Sequence, residues 1–344
     1  MGYEVIGKVP SIKDLLAKYP LNNSDLDEIS QHRDEIKAII ANNDERKLII
    51  VGPCSAWPYE ACIEYAQQLK ILQAKVANKL KLVMRVYTQK PRTIKGWLGI
   101  ANQPDPFLEP NIYQGIEMAR SLMTKIVKIG IPIADEALFT SNMYLLIDLI
   151  SWVAIGARSS ENQDHRIYAS SLDCAVGIKN PTSGSLAIGL NGVIASQDSH
   201  HYVYNNYAIK TSGNVHSHLV LRGGNGVPNY LLADLQYLSD FYQDNIINNP
   251  SFIIDVSHDN CIINGLKDFS KQGDIIFDIM SILKQNHDIA KYFKGFMLES
   301  FLKSGNQSLD NEDNIDLGGL SITDPCIDFK TTQEIILNLA NILN

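Results

Sequence analysis

The chain lacks what would place it in an oxidising compartment, in a membrane or on a nucleic acid. Its five cysteines (Cys54, Cys62, Cys174, Cys261 and Cys326) are odd in number, widely spaced and without a CxxC pair. That pattern suits a reducing compartment better than a disulfide framework. No secretory leader opens the sequence, and no apolar run approaches the roughly 20 residues of a membrane-spanning helix. The Met1-Gly2 start has Ile6 where a myristoylation signal needs Ser or Thr. A basic surplus is also missing: 30 Lys and Arg face 38 Asp and Glu. With pI ≈ 5.5 and no basic cluster alternating with aromatics, a nucleic-acid partner is excluded. The expectation is a cytoplasmic protein with neither membrane nor nucleic-acid partners. What is present is ordinary for an enzyme: 344 residues, 45% hydrophobic and 20% charged, enough for one large α/β domain or two smaller ones.

Against this acidic background, residues 81–97 stand out. Leu82, Val83, Met84, Val86 and Tyr87 form a strand-length apolar run, yet Arg85 sits inside it, and Lys90, Arg92 and Lys95 crowd around Pro91. Burying Arg85 is costly unless an anion or carboxylate pairs with it. Pro91 stiffens the backbone between two of the cations. Taken alone, the stretch also fits a solvated loop beside a salt-bridged arginine.

The rest of the chain repeats one pattern. Residues 1–46 form a polar N-terminal extension with helical patterns over 11–19 and 25–41, suited to packing on a neighbouring surface or subunit. From residue 47 to 344, apolar runs end in a polar residue and are followed by amphipathic helices. The runs are 48–53, 82–87, 131–134, 153–157, 175–178, 219–221, 252–256 and 295–298. Helices are expected at 58–78, 112–128, 141–152, through 172, near 185–195, 229–246, near 262–284 and 331–343, with an irregular hairpin over 199–214. Eight strands alternating with helices and no dividing linker predict a single (β/α)₈ TIM barrel, whose strand ends converge on one pocket.

Those ends, and a late loop that carries Asp324, hold two kinds of residue. Arg85, Lys90, Arg92, Arg158, Lys179 and Arg222 are cations suited to a substrate with two phosphates and a carboxylate. Cys54, His258, Glu299 and Asp324 offer a thiolate, an imidazole and two carboxylates, a mixed set that suits a divalent Mn, Fe, Co or Zn ion rather than Ca or Mg alone. Each has a plainer reading: Cys54 as a small buried hydrophobe, His258 as a hydrogen-bonded core residue, Glu299 as an arginine partner.

The runs VGPCS (51–55), MRVYTQKPRT (84–93), IGAR (155–158), GIKN (177–180), LRGG (221–224), DVSH (255–258), Glu299-Ser300, SGNQS (304–308) and SITDPCI (321–327) together resemble class I 3-deoxy-D-arabino-heptulosonate-7-phosphate (DAHP) synthase. The match is nearest the long form regulated by aromatic amino acids and covers nearly the whole chain. The resemblance implies a (β/α)₈ barrel, a homodimer or homotetramer, and condensation of phosphoenolpyruvate with erythrose 4-phosphate in the shikimate pathway. It further implies Cys54, His258, Glu299 and Asp324 as metal ligands. Arg85, Arg158, Lys179 and Arg222 then hold phosphoenolpyruvate, and Lys90 lies between the substrates. Glu136 helps position a water, and Arg92 and Thr93 bind the phosphate of erythrose 4-phosphate. Lys90, Arg158, Lys179, His258 and Cys54 form the implied catalytic set.

Two alternatives stay in view. A related octulosonate-phosphate synthase would take arabinose 5-phosphate, but Lys90-Pro91-Arg92-Thr93 differs from the Asn-Arg pairing of that family. A silent regulatory paralogue would have no physical reason to keep four costly ligands. The departures from the family pattern bear on control: Phe139, Asn142 and Met143, Asp173, Phe301 and a shortened hairpin before Thr211. They carry the expectation that phenylalanine inhibits weakly or not at all, Asp173 repelling a buried effector carboxylate. His216 and His218 share a strand face with Arg222 and are expected to be packed, His200 and His201 to lie on a loop surface. Trp97 either covers the acceptor site or packs.

Overall fold

The structure, a computed structural model, describes residues 2–204, 206–263, 265–310 and 312–343. Its centre is a closed barrel of parallel strands: β1 (Lys47–Gly52), β2 (Leu80–Arg85), β3 (Ile133–Glu136), β4 (Trp152–Ile155), β5 (Ala175–Lys179), β6 (Ser217–Leu221), β7 (Phe252–Asp255) and β8 (Phe293–Glu299). Each pairs with the next, and β8 closes on β1 with Leu48 opposite Gly295 and Gly52 opposite Glu299. The strands are buried almost throughout because helices cover the outside and side chains fill the inside. Gly295 is required by this closure: a Cβ there would lie 1.8 Å from the Leu48 carbonyl oxygen.

Two helices precede the barrel, α1 (Ile12–Lys18) and α2 (Asn23–Ile40). Reciprocal capping by Asn22 and Asp25 starts α2. Its Ile36, Ile39 and Ile40 join Leu48, Ile50, Val83, Trp152, Val220, Ile253 and Met297 in one interior cluster. The extension therefore plugs the N-terminal mouth of its own barrel.

Two expected helices are different in kind. In place of a helix over 141–152, short turns run over Thr140–Met143 and Ile147–Leu149 before β4 begins at Trp152. Arg33 of α2 donates to the carbonyls of Ile147 (2.7 Å) and Ile150 (2.9 Å). Arg120 grips the Asp148 carboxylate with both terminal nitrogens, at 2.7 and 2.6 Å. Arginine side chains thus capture groups that a continuous helix would have used. The helix expected from about 262 starts only at Gln272. Before it, Ile262–Ile263 and Leu266–Lys267 pair as a small antiparallel hairpin, with Gly265 at φ 79°.

The hairpin expected over 199–214 is present, His201–Tyr204 pairing with Tyr207–Lys210. His218 is buried and packed, accepting from Trp152 Nε1 (3.2 Å) with Nδ1 2.9 Å from the His216 carbonyl. Trp97 is buried and donates to the Gln103 carbonyl (2.7 Å), a packing role. Asp173 does not face a buried pocket: it is exposed and paired with Lys37 at 3.0 Å.

Candidate active site

The C-terminal ends of the strands enclose a polar cavity of about 290 Å³. Its walls include Cys54, Arg85, Lys90, Arg92, Thr93, Glu136, Arg158, Lys179, Arg222, His258 and Asp324. Of the residues singled out from the sequence, Glu299 lies just beneath, fully buried at the end of β8.

Three ligand atoms from Cys54, Glu299 and Asp324 lie within 4.8 Å of one another. His258 stands at their edge, its Nε2 3.7 Å from Glu299 Oε1. Its other ring nitrogen faces Asp255 Oδ2 at 2.9 Å and Ser257 Oγ at 2.8 Å, which fixes the ring orientation. The backbone helps, since His258 has a positive φ of 54° that turns the side chain back over the barrel.

Charge at this centre is finely opposed. Arg85 donates to Glu299 Oε1 at 3.1 Å, and its guanidinium carbon stacks 4.2 Å from the Tyr87 ring centroid. Yet Arg85 Nη1 and Glu299 Oε2 are buried with no hydrogen-bond partner. Burial pushes the Glu299 carboxyl up, but His258 and Arg85 outweigh it and leave it below its ordinary value. Burial also raises the Asp324 carboxyl, and Lys267, His258 and Lys90 hold it well below the carboxylate range. The Cys54 thiol goes the other way, pushed up by burial and by Glu299 despite Lys90. Lys90 donates to the Cys54 carbonyl (2.6 Å) and sulfur (3.2 Å). Desolvation lowers its pKa, but Cys54, Glu299 and Glu136 more than reverse that.

The cations divide by partner. Lys179 meets Asp255 at 2.9 Å and Arg222 meets Asp259 at 3.2 Å. Arg92 donates only to the Trp97 carbonyl (2.8 Å), and Arg158 to Thr93 Oγ1 (3.1 Å). Among the described residues neither has a carboxylate within ion-pair distance. Both line the cavity. Glu136 ends β3 beneath them, in space kept by Gly156, where a Cβ would lie 2.2 Å from Glu136 Oε1.

Three contributors escaped the sequence reading. Asp255 holds both Lys179 and His258, and its place three residues before a candidate ligand was the available signal. Asp135 accepts from Thr88 N, Thr88 Oγ1 and Glu136 N, tying the loop to Lys90 onto β3. Lys267 reaches Asp324 Oδ2 at 3.0 Å from the small hairpin where a helix was expected.

The chain is similar to known proteins. A "Phospho-2-dehydro-3-deoxyheptonate aldolase, Tyr-sensitive" of Salmonella typhimurium is 38% identical over 330 residues, 94% of this chain and 90% of that protein. A Trp-sensitive counterpart from Enterobacter agglomerans is 35% identical, with 97% and 95% covered. A solved phospho-2-dehydro-3-deoxyheptonate aldolase from Francisella tularensis superimposes with a TM-score of 0.91 at 34% identity, covering 99% of this chain and 98% of that one. The sequence pattern described as the DAHP synthetase I family matches residues 21–337. The chain belongs to the DAHP synthetase I family.

Proposed function

We propose that the cavity catalyses a metal-dependent aldol-type condensation of phosphoenolpyruvate with erythrose 4-phosphate, releasing phosphate and DAHP. The observation that carries this reading is the pairing of two orphaned buried atoms, Glu299 Oε2 and Arg85 Nη1, beside three converging ligands. A buried carboxylate oxygen without a donor costs roughly 1–3 kcal/mol or more unless something binds it. The donor set fits a divalent Mn, Fe, Co or Zn ion, held by Cys54, Glu299 and Asp324 with His258 at the edge. Such an ion would supply Lewis acidity for the aldehyde and would favour the thiolate form of Cys54.

The protein's own groups do the rest. Arg92 and Thr93 bind the phosphate of the aldose. Arg85, Arg158, Lys179 and Arg222 hold the phosphate and carboxylate of phosphoenolpyruvate, so that its enol carbon faces the aldehyde. Lys90 lies between the two substrates, where its ammonium balances charge on the reacting oxygens. Glu136 positions the water that adds at the former enol-phosphate carbon, after which phosphate leaves toward the cations.

The chain acts in this reading as a cytoplasmic homodimer or homotetramer. Its cysteines are all free and buried, and among the described residues no helix is long and apolar enough to cross a membrane. Chelator-treated protein assayed with phosphoenolpyruvate and either erythrose 4-phosphate or arabinose 5-phosphate tests the proposal. Activity is expected only with the four-carbon acceptor and only after Mn²⁺ is returned. Full turnover without metal, or preference for the pentose, contradicts it.

A further inference from the structure

The opposite end of the barrel holds a second cavity, of about 720 Å³, within the range of small-molecule sites. It opens between the helix Gln272–Gln285, the short helix His287–Ala290 and the end of the helix Phe329–Ile342. Its floor is apolar, formed by Phe277, Met280, Leu283, Phe293 and Leu343. Its charged and titratable lining is Lys47, Lys284 and His287, with no carboxylate among the described residues that line it. In a chain of net charge −8, such a one-sided lining is unusual.

Lys47, on the cavity wall, lacks what several other buried cations have. Lys81, Arg85 and Lys179 each meet a carboxylate, at 2.8, 3.1 and 2.9 Å. Lys47, half-buried, donates only to the Phe293 carbonyl at 3.3 Å. Glu45, exposed nearby, attracts it without bonding, and burial still holds its pKa below the ordinary lysine value. Lys294, 1% exposed, is held by Asn42 Oδ1 and the Lys291 carbonyl. Burial and the neighbouring Lys47 push it down to about 7. The Lys47 ammonium, poorly compensated on the wall of an apolar cavity, leaves a deficit that an anion would fill.

We propose that this cavity binds a small apolar monoanion, a carboxylate carried on an aliphatic or aromatic body, with Lys47 and Lys284 at the carboxylate. A bare inorganic anion would leave the Phe277, Met280 and Phe293 floor uncovered. A polyanion would outnumber the cations that line the walls. The site stands apart from the condensation chemistry, since none of its residues lines the other cavity.

Calorimetric titration of the full chain with decanoate, and in parallel with decan-1-ol, tests it. Decanoate should bind one to one at micromolar concentration, and the alcohol at least tenfold more weakly. Lys47→Gln should weaken decanoate at least tenfold with an unchanged circular dichroism spectrum, and Lys284→Gln several-fold. If Lys47→Gln does not fold, the rim variant and the alcohol comparison decide. Saturating phosphoenolpyruvate should leave decanoate affinity unchanged, which separates this result from the fate of the condensation reading. Equal affinity for acid and alcohol, or no loss in either lysine variant, overturns the proposal. So does the absence of saturable decanoate binding by the parent chain.

Discussion

The two mouths of this barrel solve opposite problems with the same strands. At the C-terminal mouth, the strands lead to groups that are costly to bury, and several of these are kept poised rather than neutralised. Arg92 and Arg158 lack carboxylate partners, Glu299 retains a bare oxygen, and Lys90 leans on a thiol. At the N-terminal mouth, α2 drives Ile36, Ile39 and Ile40 into the barrel, and most charges around them are paired. Lys81 meets Glu35, and Arg46 meets Asp44 and Glu35. Stability is concentrated at one end and left unsatisfied at the other, as expected where binding completes the structure. If so, substitutions at the two ends should fail in different ways.

The largest effect is expected at the poised end. Cys54→Ser should leave unfolding unchanged but weaken Mn²⁺ binding by more than the roughly 10–100-fold seen when only an outer hydrogen bond to a ligand is lost. A serine hydroxyl does not ionise near neutral pH and is a poor replacement for a thiolate. Equilibrium dialysis against Mn²⁺ measures this directly, and parent-like affinity would remove Cys54 from the ligand set. The plugged end should behave in reverse. Ile36→Ala should cost about 2–5 kcal/mol of stability, as large-to-small core changes do, with KM for both substrates unchanged in the folded fraction. A substrate defect without lost stability would show the two mouths to be coupled.

How much of this was visible in the chain depended on which interactions were local. Strand ends were legible because a polar residue closing an apolar run is a one-dimensional signal, and Cys54, Glu136, Arg158, Lys179, Arg222, His258 and Glu299 all emerged that way. Asp324 lies on a late loop, and the motif resemblance placed it. Long-range capture was invisible. The carbonyls of Ile147 and Ile150 are taken by Arg33, more than a hundred residues earlier. Apolar periodicity there still suggested a helix. The Ile262–Lys267 hairpin was hidden for a related reason: four alternating residues do not distinguish a tight hairpin from a helix start. With it went Lys267. The plug was left open between a neighbouring surface and a subunit because an amphipathic helix announces an apolar face without naming what it covers.

A smaller effect should divide the poised cations from one another. Arg92→Ala should raise KM for the aldose phosphate far more than for phosphoenolpyruvate, and Arg158→Ala should do the reverse. Each loses a charge-assisted hydrogen bond worth about 1.5–3 kcal/mol, roughly ten- to a hundred-fold in affinity. Because Arg158 also bonds Thr93 Oγ1, its variant should slightly loosen the acceptor as well. Steady-state kinetics with each substrate varied in turn would show the split. Equal losses for both substrates in both variants would mean that the cations act as one undivided field.

The smallest effect belongs to the plugged end and concerns pH. His218 is fully buried among Trp152, His216 and the Lys294 ammonium, and burial pushes its pKa down to about 4 from an ordinary 6.5. Its neutral ring accepts from Trp152 Nε1, and protonation would remove that acceptor and set a second cation beside Lys294. Above pH 6.5 both folded and unfolded chains carry the histidine neutral, so its contribution is constant. Below 6.5 the unfolded chain takes up a proton that the folded one refuses until about pH 4, so stability falls across that window as pH falls. One unit below 6.5 the loss is about 1 kcal/mol. His32, also pushed down to about 4 by burial and by Lys81, adds a loss of the same sign, so the parent alone does not identify the source. His218→Gln keeps an acceptor and a donor but cannot titrate, and it isolates the term. Denaturant unfolding of parent and variant at pH 7.0 and 5.5 should show the variant losing about 1 kcal/mol less. Parallel losses in the two proteins would mean that His218 is protonated in the folded barrel, and that the plugged end is wetter than its burial implies.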